Sequence, residues 1–329
     1  MTQKKEPDIN VPKKAHVEKV DEPQFPSRRD FLKKTGLLAM GMAVGSHIPF
    51  VKNLIPGGEI PSASAQLNPV SPLAYKYVIS SDSRYIYFLD ENFKNAMPPI
   101  HKNEVNTGNN APLDTVILDP YRPEYFWAAT EKNSSGDPNN PIQIYSFKIS
   151  DGVVSDVQTH DISHITPAIT ELEGMCIDTQ NRKILLTDNP RSIYICDENF
   201  IVEKSFSTEQ FGYSSSQGIC YVPWLDGYLI TDNHADKLLV VNEDEEILWE
   251  IHLDRLNEIP TNMQGVAVDY ATGEIFVTYY QPSDAVVVMN WGGIEKAIYP
   301  NTEWEPTITY ANPTSISIVQ EPFRYSRLG

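Results

Sequence analysis

Glu173, Gln217 and Gln264 each stand directly before a glycine that opens an apolar run: ELEGMCID from residue 171, SQGICYV from 216 and MQGVAVD from 263. Carboxylates and side-chain amides are hard oxygen donors. With Asp114, which precedes the run TVIL, they offer two charges and two carbonyls to one ion. Water would complete the six to eight oxygens that calcium takes. No histidine or cysteine set converges with them, which argues against zinc. A second set recurs later in the same segments, as Thr187-Asp188-Asn189 and Thr231-Asp232-Asn233-His234. Asp188 or Asp232 could take a proton from water, and His234 could serve as acid or base. The Asp-Asn pairs also suit plain Asx-turns, which bond their own backbone.

Such chemistry needs a frame that brings residues far apart in sequence to one place. Aligned on their glycines, GMCIDTQNRKILLTDN, GICYVPWLDGYLITDN and GVAVDYATGEIFVTYY repeat at spacings of 44 and 47 residues. Each continues with a third apolar run, SIYICDEN, KLLVVNED or AVVVMNWG, and a fourth, IVEKSFS, EILWEIHL or IEKAIYP. Four short strands per period, rich in Val, Ile and Tyr with Gly, Asn and Asp between them, predict an all-β propeller of four-stranded antiparallel blades. An earlier unit opens at Asp114 and carries an inserted loop at 134–140. The last unit opens at Thr314 and runs out of chain. Its second and third strands are supplied by KYVISSDS from Lys76 and RYIYFLDENF from Arg84, whose DENF recurs at residue 197. Mixing the two ends of the chain in one blade closes the ring and removes its open edge. This count favours five blades. Six stay open, because YKYVISSDSRYIYFLDEN also fits as a first and second strand.

First strands line the channel of a propeller, and antiparallel order sends the loop before strand one and the loop after strand two to the same side. Asp114, Glu173, Gln217, Gln264 and Thr314 therefore share one channel mouth with Asp188, Asn189, Asp232, Asn233 and His234. The pattern resembles the NHL-repeat and gluconolactonase-like propeller superfamily, whose blades open with a glycine, an apolar strand and an aspartate turn. The resemblance covers most of residues 66–329. It implies a divalent metal held just before the inner-strand glycines. Glu173 matches such a position, and Gln217 and Gln264 stand where the family has Asn and Asp. It also implies metal-assisted hydrolysis of a lactone or related ester, with carboxylate assistance falling to Glu173 and Asp232 or Asp188. The alternative is a non-catalytic ligand-binding or scaffold propeller, such as a subunit of a periplasmic complex, because one fold hosts many functions.

The N-terminal region speaks to location. Arg28 and Arg29 lie in SRRDFLKK, a modestly apolar stretch spans residues 35–51, and Ala63-Ser64-Ala65 ends a small-residue segment. This is the layout of an export peptide, too short and too glycine-rich for a membrane span. Residues 27–33 resemble the twin-arginine export consensus. The expectation is a soluble domain of residues 66–329, periplasmic or secreted, with no membrane insertion after cleavage. Of 26 Lys/Arg and 44 Asp/Glu, ten and seven fall in residues 1–65, which leaves 16 against 37. That surplus disfavours nucleic acid and anionic lipid. It favours metal ions, a neutral or cationic small molecule, or a protein partner on a propeller face.

Other candidates read as structure. Cys176, Cys196 and Cys220 have no CxxC spacing and form no disulfide framework. Cys176 and Cys220, two residues past their glycines, read as packing residues that could face each other across blades. His160 and His164 lie on a strand or loop rather than the helix their spacing would suit. Trp127, Trp224, Trp249, Trp291 and Trp304 read as inter-blade packing.

Overall fold

Runs of β-branched and aromatic residues punctuated by Asp, Asn and Gly turns fold as twenty short strands among the described residues. A computed structural model of the chain describes residues 75–82, 84–106, 113–122, 124–131, 142–189, 192–257, 260–281, 283–304 and 312–320. Arg28, Arg29, Ala63, Ala65 and the loop 134–140 lie outside them. The strands in chain order are β1 (Tyr77–Ser81), β2 (Tyr85–Leu89), β3 (Ile100–His101), β4 (Leu113–Leu118), β5 (Tyr125–Thr130), β6 (Ile144–Ser150), β7 (Val153–His160), β8 (Leu172–Asp178), β9 (Lys183–Asp188) and β10 (Ser192–Cys196). They continue as β11 (Val202–Ser207), β12 (Ser216–Val222), β13 (Gly227–Asp232), β14 (Lys237–Val241), β15 (Ile247–His252), β16 (Thr261–Val268), β17 (Ile275–Gln281), β18 (Ala285–Met289), β19 (Glu295–Pro300) and β20 (Pro313–Ile318).

The strands form five four-stranded antiparallel sheets, the blades of a five-bladed propeller. Blade 1 is β4–β7, blade 2 β8–β11, blade 3 β12–β15 and blade 4 β16–β19. Blade 5 has the order β20-β1-β2-β3, so the last strand of the chain is the inner strand of a blade begun near residue 77. The pairing Tyr77↔Ile318 through Ser80↔Ser315 makes that closure. The DENF repeat marks the same place in two blades. Asp90 and Asp197 each accept two backbone N–H groups of the turn after a third strand. Phe93 and Phe200 hold that turn in the left-handed region, at φ 57° and 61°.

Each pair of neighbouring blades encloses its own apolar layer. Leu185, Ile193, Tyr221 and Leu239 fill the space between blades 2 and 3, and Leu229, Val240, Val266 and Val287 that between blades 3 and 4. A side chain of this kind, fully withdrawn from water, contributes about 1.5–3 kcal/mol. All five tryptophans belong to such layers. Cys176 packs in the layer between blades 2 and 3 and Cys220 against the next one, and the two are close enough for Cys220, after burial, to help raise the Cys176 thiol.

The repeated glycines have a packing cause. A Cβ on Gly174 would lie 3.1 Å from the Cα of Gly218, one on Gly218 2.8 Å from the Cα of Gly265, and one on Gly265 2.8 Å from the backbone nitrogen of Ile316. Inner strands therefore meet backbone to backbone around the channel. Among the described residues, no helix is long and apolar enough to cross a membrane.

Candidate functional site at the channel mouth

Every inner strand breaks register near its start, at the single residues Asp114, Glu173 and Thr314 and at the pairs Gln217-Gly218 and Gln264-Gly265. Such bulges re-aim side chains. They turn Asp114, Glu173, Gln217, Gln264 and Thr314 into an inner ring at the mouth. Asp82, Glu131, Asn189 and Asn233, just past the second strands, and Tyr280, at the corresponding place inside the longer β17, form an outer ring. The charge is lopsided. Blades 5, 1 and 2 bring carboxylates, and blades 3 and 4 bring amides.

The carboxylates concentrate where blades 1 and 2 meet. One oxygen each of Glu131, Glu171 and Glu173 lies within 4.8 Å of the others, and all three side chains are half-buried. Asp114 is buried at 3% exposure beneath them. Burial first, then the charges of Glu131, Glu173, Asp82 and Glu171, push Asp114 well above the usual carboxylate range. Burial, Glu171 and Asp82 push Glu131 up to about 7, against a hydrogen bond with Asp114. Burial, Glu171 and Glu131 push Glu173 up to about 8, although Asn189 donates to its Oε1 at 3.4 Å. Among the described residues, buried Lys102 interacts with Asp114. Burial, with Arg84, lowers its ammonium to about 8, and Asp114 pulls the other way.

Asp188 and Asp232 are clamps on the loops that enter the inner strands. Asp188 accepts the backbone N–H groups of Thr170 (2.7 Å) and Glu171 (2.8 Å), which fixes Glu171 over the mouth. Asp232 accepts those of Ser214 (2.7 Å), Ser215 (2.6 Å) and His234 (2.9 Å). The His234 side chain itself is exposed. Ser215 in turn donates to Asn189 at 3.2 Å and accepts from Gln217 at 3.0 Å. Gln264 donates to Asn233 at 3.3 Å. The two glutamines thus reach the inner ring, with their amide nitrogens bonded toward the amide side of the mouth. His160, by contrast, bonds Ser146 on the outer strands of blade 1, and His164 bonds the Phe200 carbonyl; neither joins the mouth.

Hydroxyls on second strands latch neighbouring blades together here. Ser80 donates to the Asp114 carbonyl at 3.0 Å, Thr187 to that of Gln217 and Thr231 to that of Gln264. The equivalent position in blade 1 is Ala129, paired with Thr115. The Glu173 carbonyl therefore receives no hydroxyl from that position, at the same junction where the carboxylates gather. Below the rings runs a channel of about 100 Å³, walled first by Thr115, Gly174, Gly218, Gly265 and Ser315.

Glu131, Glu171 and Asp82 escaped the sequence reading. The Thr-Asp-Asn signature that marks the ends of β9 and β13 is replaced by Thr130-Glu131 in blade 1 and Ser81-Asp82 in blade 5. Aligning second strands across all five blades, rather than across the three clearest, is the signal that finds two of them.

No protein-family model matches this sequence, and no curated protein matches it. Solved structures do. A Bacteroides caccae protein of unknown function aligns over 74% of this chain and 98% of its own at 8% identity and a TM-score of 0.48. A chain from the nidogen/laminin complex aligns over 75% and 99% at 13% identity and a TM-score of 0.48. These are likenesses of shape and carry no argument about function.

Proposed function

We propose that this propeller binds a divalent cation, calcium by its donor set, between Glu131, Glu171 and Glu173 with Asp114 beneath, and uses it to hydrolyse a lactone or related ester. The observation that carries the reading is the approach of three carboxylate oxygens to within 4.8 Å. Like charges held this close and this buried repel, and an ion of opposite sign relieves them. All the donors are hard oxygens, which fits calcium and not a soft or nitrogen-seeking metal.

In this reading a bound ion polarises the substrate carbonyl. The chain's own work is to orient the substrate against the amide side of the mouth, through Asn189, Asn233 and the glutamines, and to take a proton from the attacking water on a free carboxylate oxygen. Asp188 and Asp232, engaged with backbone N–H groups, support this by holding the loops. A neutral or cationic substrate suits the charge of the mouth. Location outside the cytoplasm by the twin-arginine route is part of the same proposal, on the strength of residues 27–33 and 63–65.

Elemental analysis and calorimetric titration of residues 66–329 test the site. One equivalent of calcium, lost in Glu173→Gln, is the expected result; no bound metal and no heat of binding would sink it. Calcium bound with no turnover across a panel of lactones and esters favours the non-catalytic ligand-binding or scaffold role.

A further inference from the structure

Tyr280 occupies the outer-ring position where blades 2 and 3 carry Asn189 and Asn233, and it is the aromatic member of that ring. Its phenol donates to Asp82 Oδ2 at 3.2 Å. Asp82 is itself fixed by Asn312, whose side-chain amide donates to the same oxygen at 3.1 Å and whose carbonyl accepts the Asp82 N–H at 3.1 Å. The phenol is thus held at the rim of the mouth, between the amides of blades 3 and 4 and the carboxylate of Asp82, which is not one of the proposed ion ligands. Burial first, then the charges of Asp82 on blade 5, Asp114 on blade 1 and Glu173 on blade 2, keep the phenol protonated well beyond its ordinary range. A phenol so placed is a proton donor and not a base.

We propose that Tyr280 is a catalytic residue of this mouth, supplying the proton that the departing alkoxide of an ester or lactone needs. The inference rests on the hydrolase reading. Water oxygen bonds to the acyl carbon while a mouth carboxylate takes its proton. The acyl–oxygen bond then breaks, its electron pair goes to the alkoxide, and the Tyr280 proton follows to that oxygen. The phenolate regains a proton from the carboxyl group that received one, so that ester and water leave as acid and alcohol with the protein unchanged. Asp82 is the positioning residue that aims the phenol.

The test is the leaving-group dependence of Tyr280→Phe in the calcium-loaded protein. With ethyl acetate and δ-valerolactone, whose alkoxides cannot leave unprotonated, kcat should fall by roughly 10²–10⁴. With 4-nitrophenyl acetate, whose leaving group needs no proton, the fall should shrink to a small fraction of that. Asp82→Asn should give a smaller loss with the same selectivity. Equal losses on both ester types, with calcium affinity intact, would overturn the role of Tyr280 alone. No turnover of any of the three by the wild-type, calcium-loaded protein would overturn the hydrolase reading and Tyr280's role with it.

Discussion

At the scale of single residues, the protein stores protons where a solvated chain would have none. Glu131 and Glu173 titrate near 7 and 8 in the fold, against 4.5 for an unperturbed glutamate. Without a bound ion, the folded chain therefore holds protons that the unfolded chain has released. Stability contributed by a raised carboxylate is full below the unfolded pKa and is lost as pH rises through the folded one. Metal-free protein should accordingly lose stability between about pH 4.5 and pH 8. Asp161 and Asp197, held low chiefly by backbone N–H groups of Ser163 and Ile201, are ionised in both states across that window and do not contribute. His160, lowered by burial and Arg122, works in the opposite sense, its contribution lost as pH falls below the ordinary imidazole value. The decisive comparison is therefore urea unfolding of wild type and Glu173→Gln in chelator from pH 5 to 9. The variant should lose much of the downward slope and become the more stable of the two at pH 8–9. Adding calcium at a hundred times its Kd should stabilise the wild type by about 2.7 kcal/mol, roughly 5–10 °C in Tm for a domain of this size, and leave the variant nearly unmoved. A wild-type slope that is flat or upward would contradict the raised carboxylates.

At the scale of elements, the inner strands show why some of the site could be read from sequence and some could not. Glycines 174, 218 and 265 recur because each strand lies against the backbone of the next, and a feature forced by packing repeats in every blade that shares it. That regularity made the strand order and the blade closure legible. The outer ring varies from blade to blade, acidic at Asp82 and Glu131, amide at Asn189 and Asn233 and aromatic at Tyr280, so the Thr-Asp-Asn signature marks it in only two blades. Glu171 was hidden for a different reason. It reaches the mouth only because Asp188 grips its N–H, a contact that spacing does not encode. Two substitutions separate these effects. Gly218→Ala drives a Cβ into the backbone of β16, and overpacking of this kind costs about 1–3 kcal/mol or more. Thr231→Val keeps the shape and removes the hydroxyl that accepts from the Gly218 N–H at 2.7 Å and donates to the Gln264 carbonyl. Leaving both backbone groups unpaired should cost about 1–3 kcal/mol. Denaturant midpoints measure each. A neutral Gly218→Ala would mean that neighbouring inner strands are not in backbone contact.

At the scale of the whole molecule, closure, charge and location are linked. The inner strand of blade 5 is β20, paired with β1, so the ring closes only when strands from the two ends of the propeller meet. Lys76 and Asp269, 3.2 Å apart, and the Gln320 side chain, which bonds the backbone of Tyr270 and Val268, fasten that seam from both ends. A fold whose final pairing joins residues some 240 apart gains its contacts late, and loop closure over that distance slows the search. Such a chain suits a route that carries folded proteins, the route that residues 27–33 resemble. If the propeller is exported and binds calcium as proposed, the surplus of carboxylates in residues 66–329, 37 against 16 basic residues, would favour filling the mouth outside the cytoplasm. Replacing Arg28 and Arg29 with lysine keeps the positive charge and removes the paired guanidinium groups. If the pair is read as a twin-arginine signal, the double variant should accumulate, uncleaved and folded, in the cytoplasm, and its extracytoplasmic level should fall at least severalfold. Fractionation with an antibody to the propeller, together with the mass of the mature N-terminus, measures both. Normal levels outside the cytoplasm, with cleavage after Ala65 unchanged, would show that the arginines act only as charge and that the chain leaves by another route.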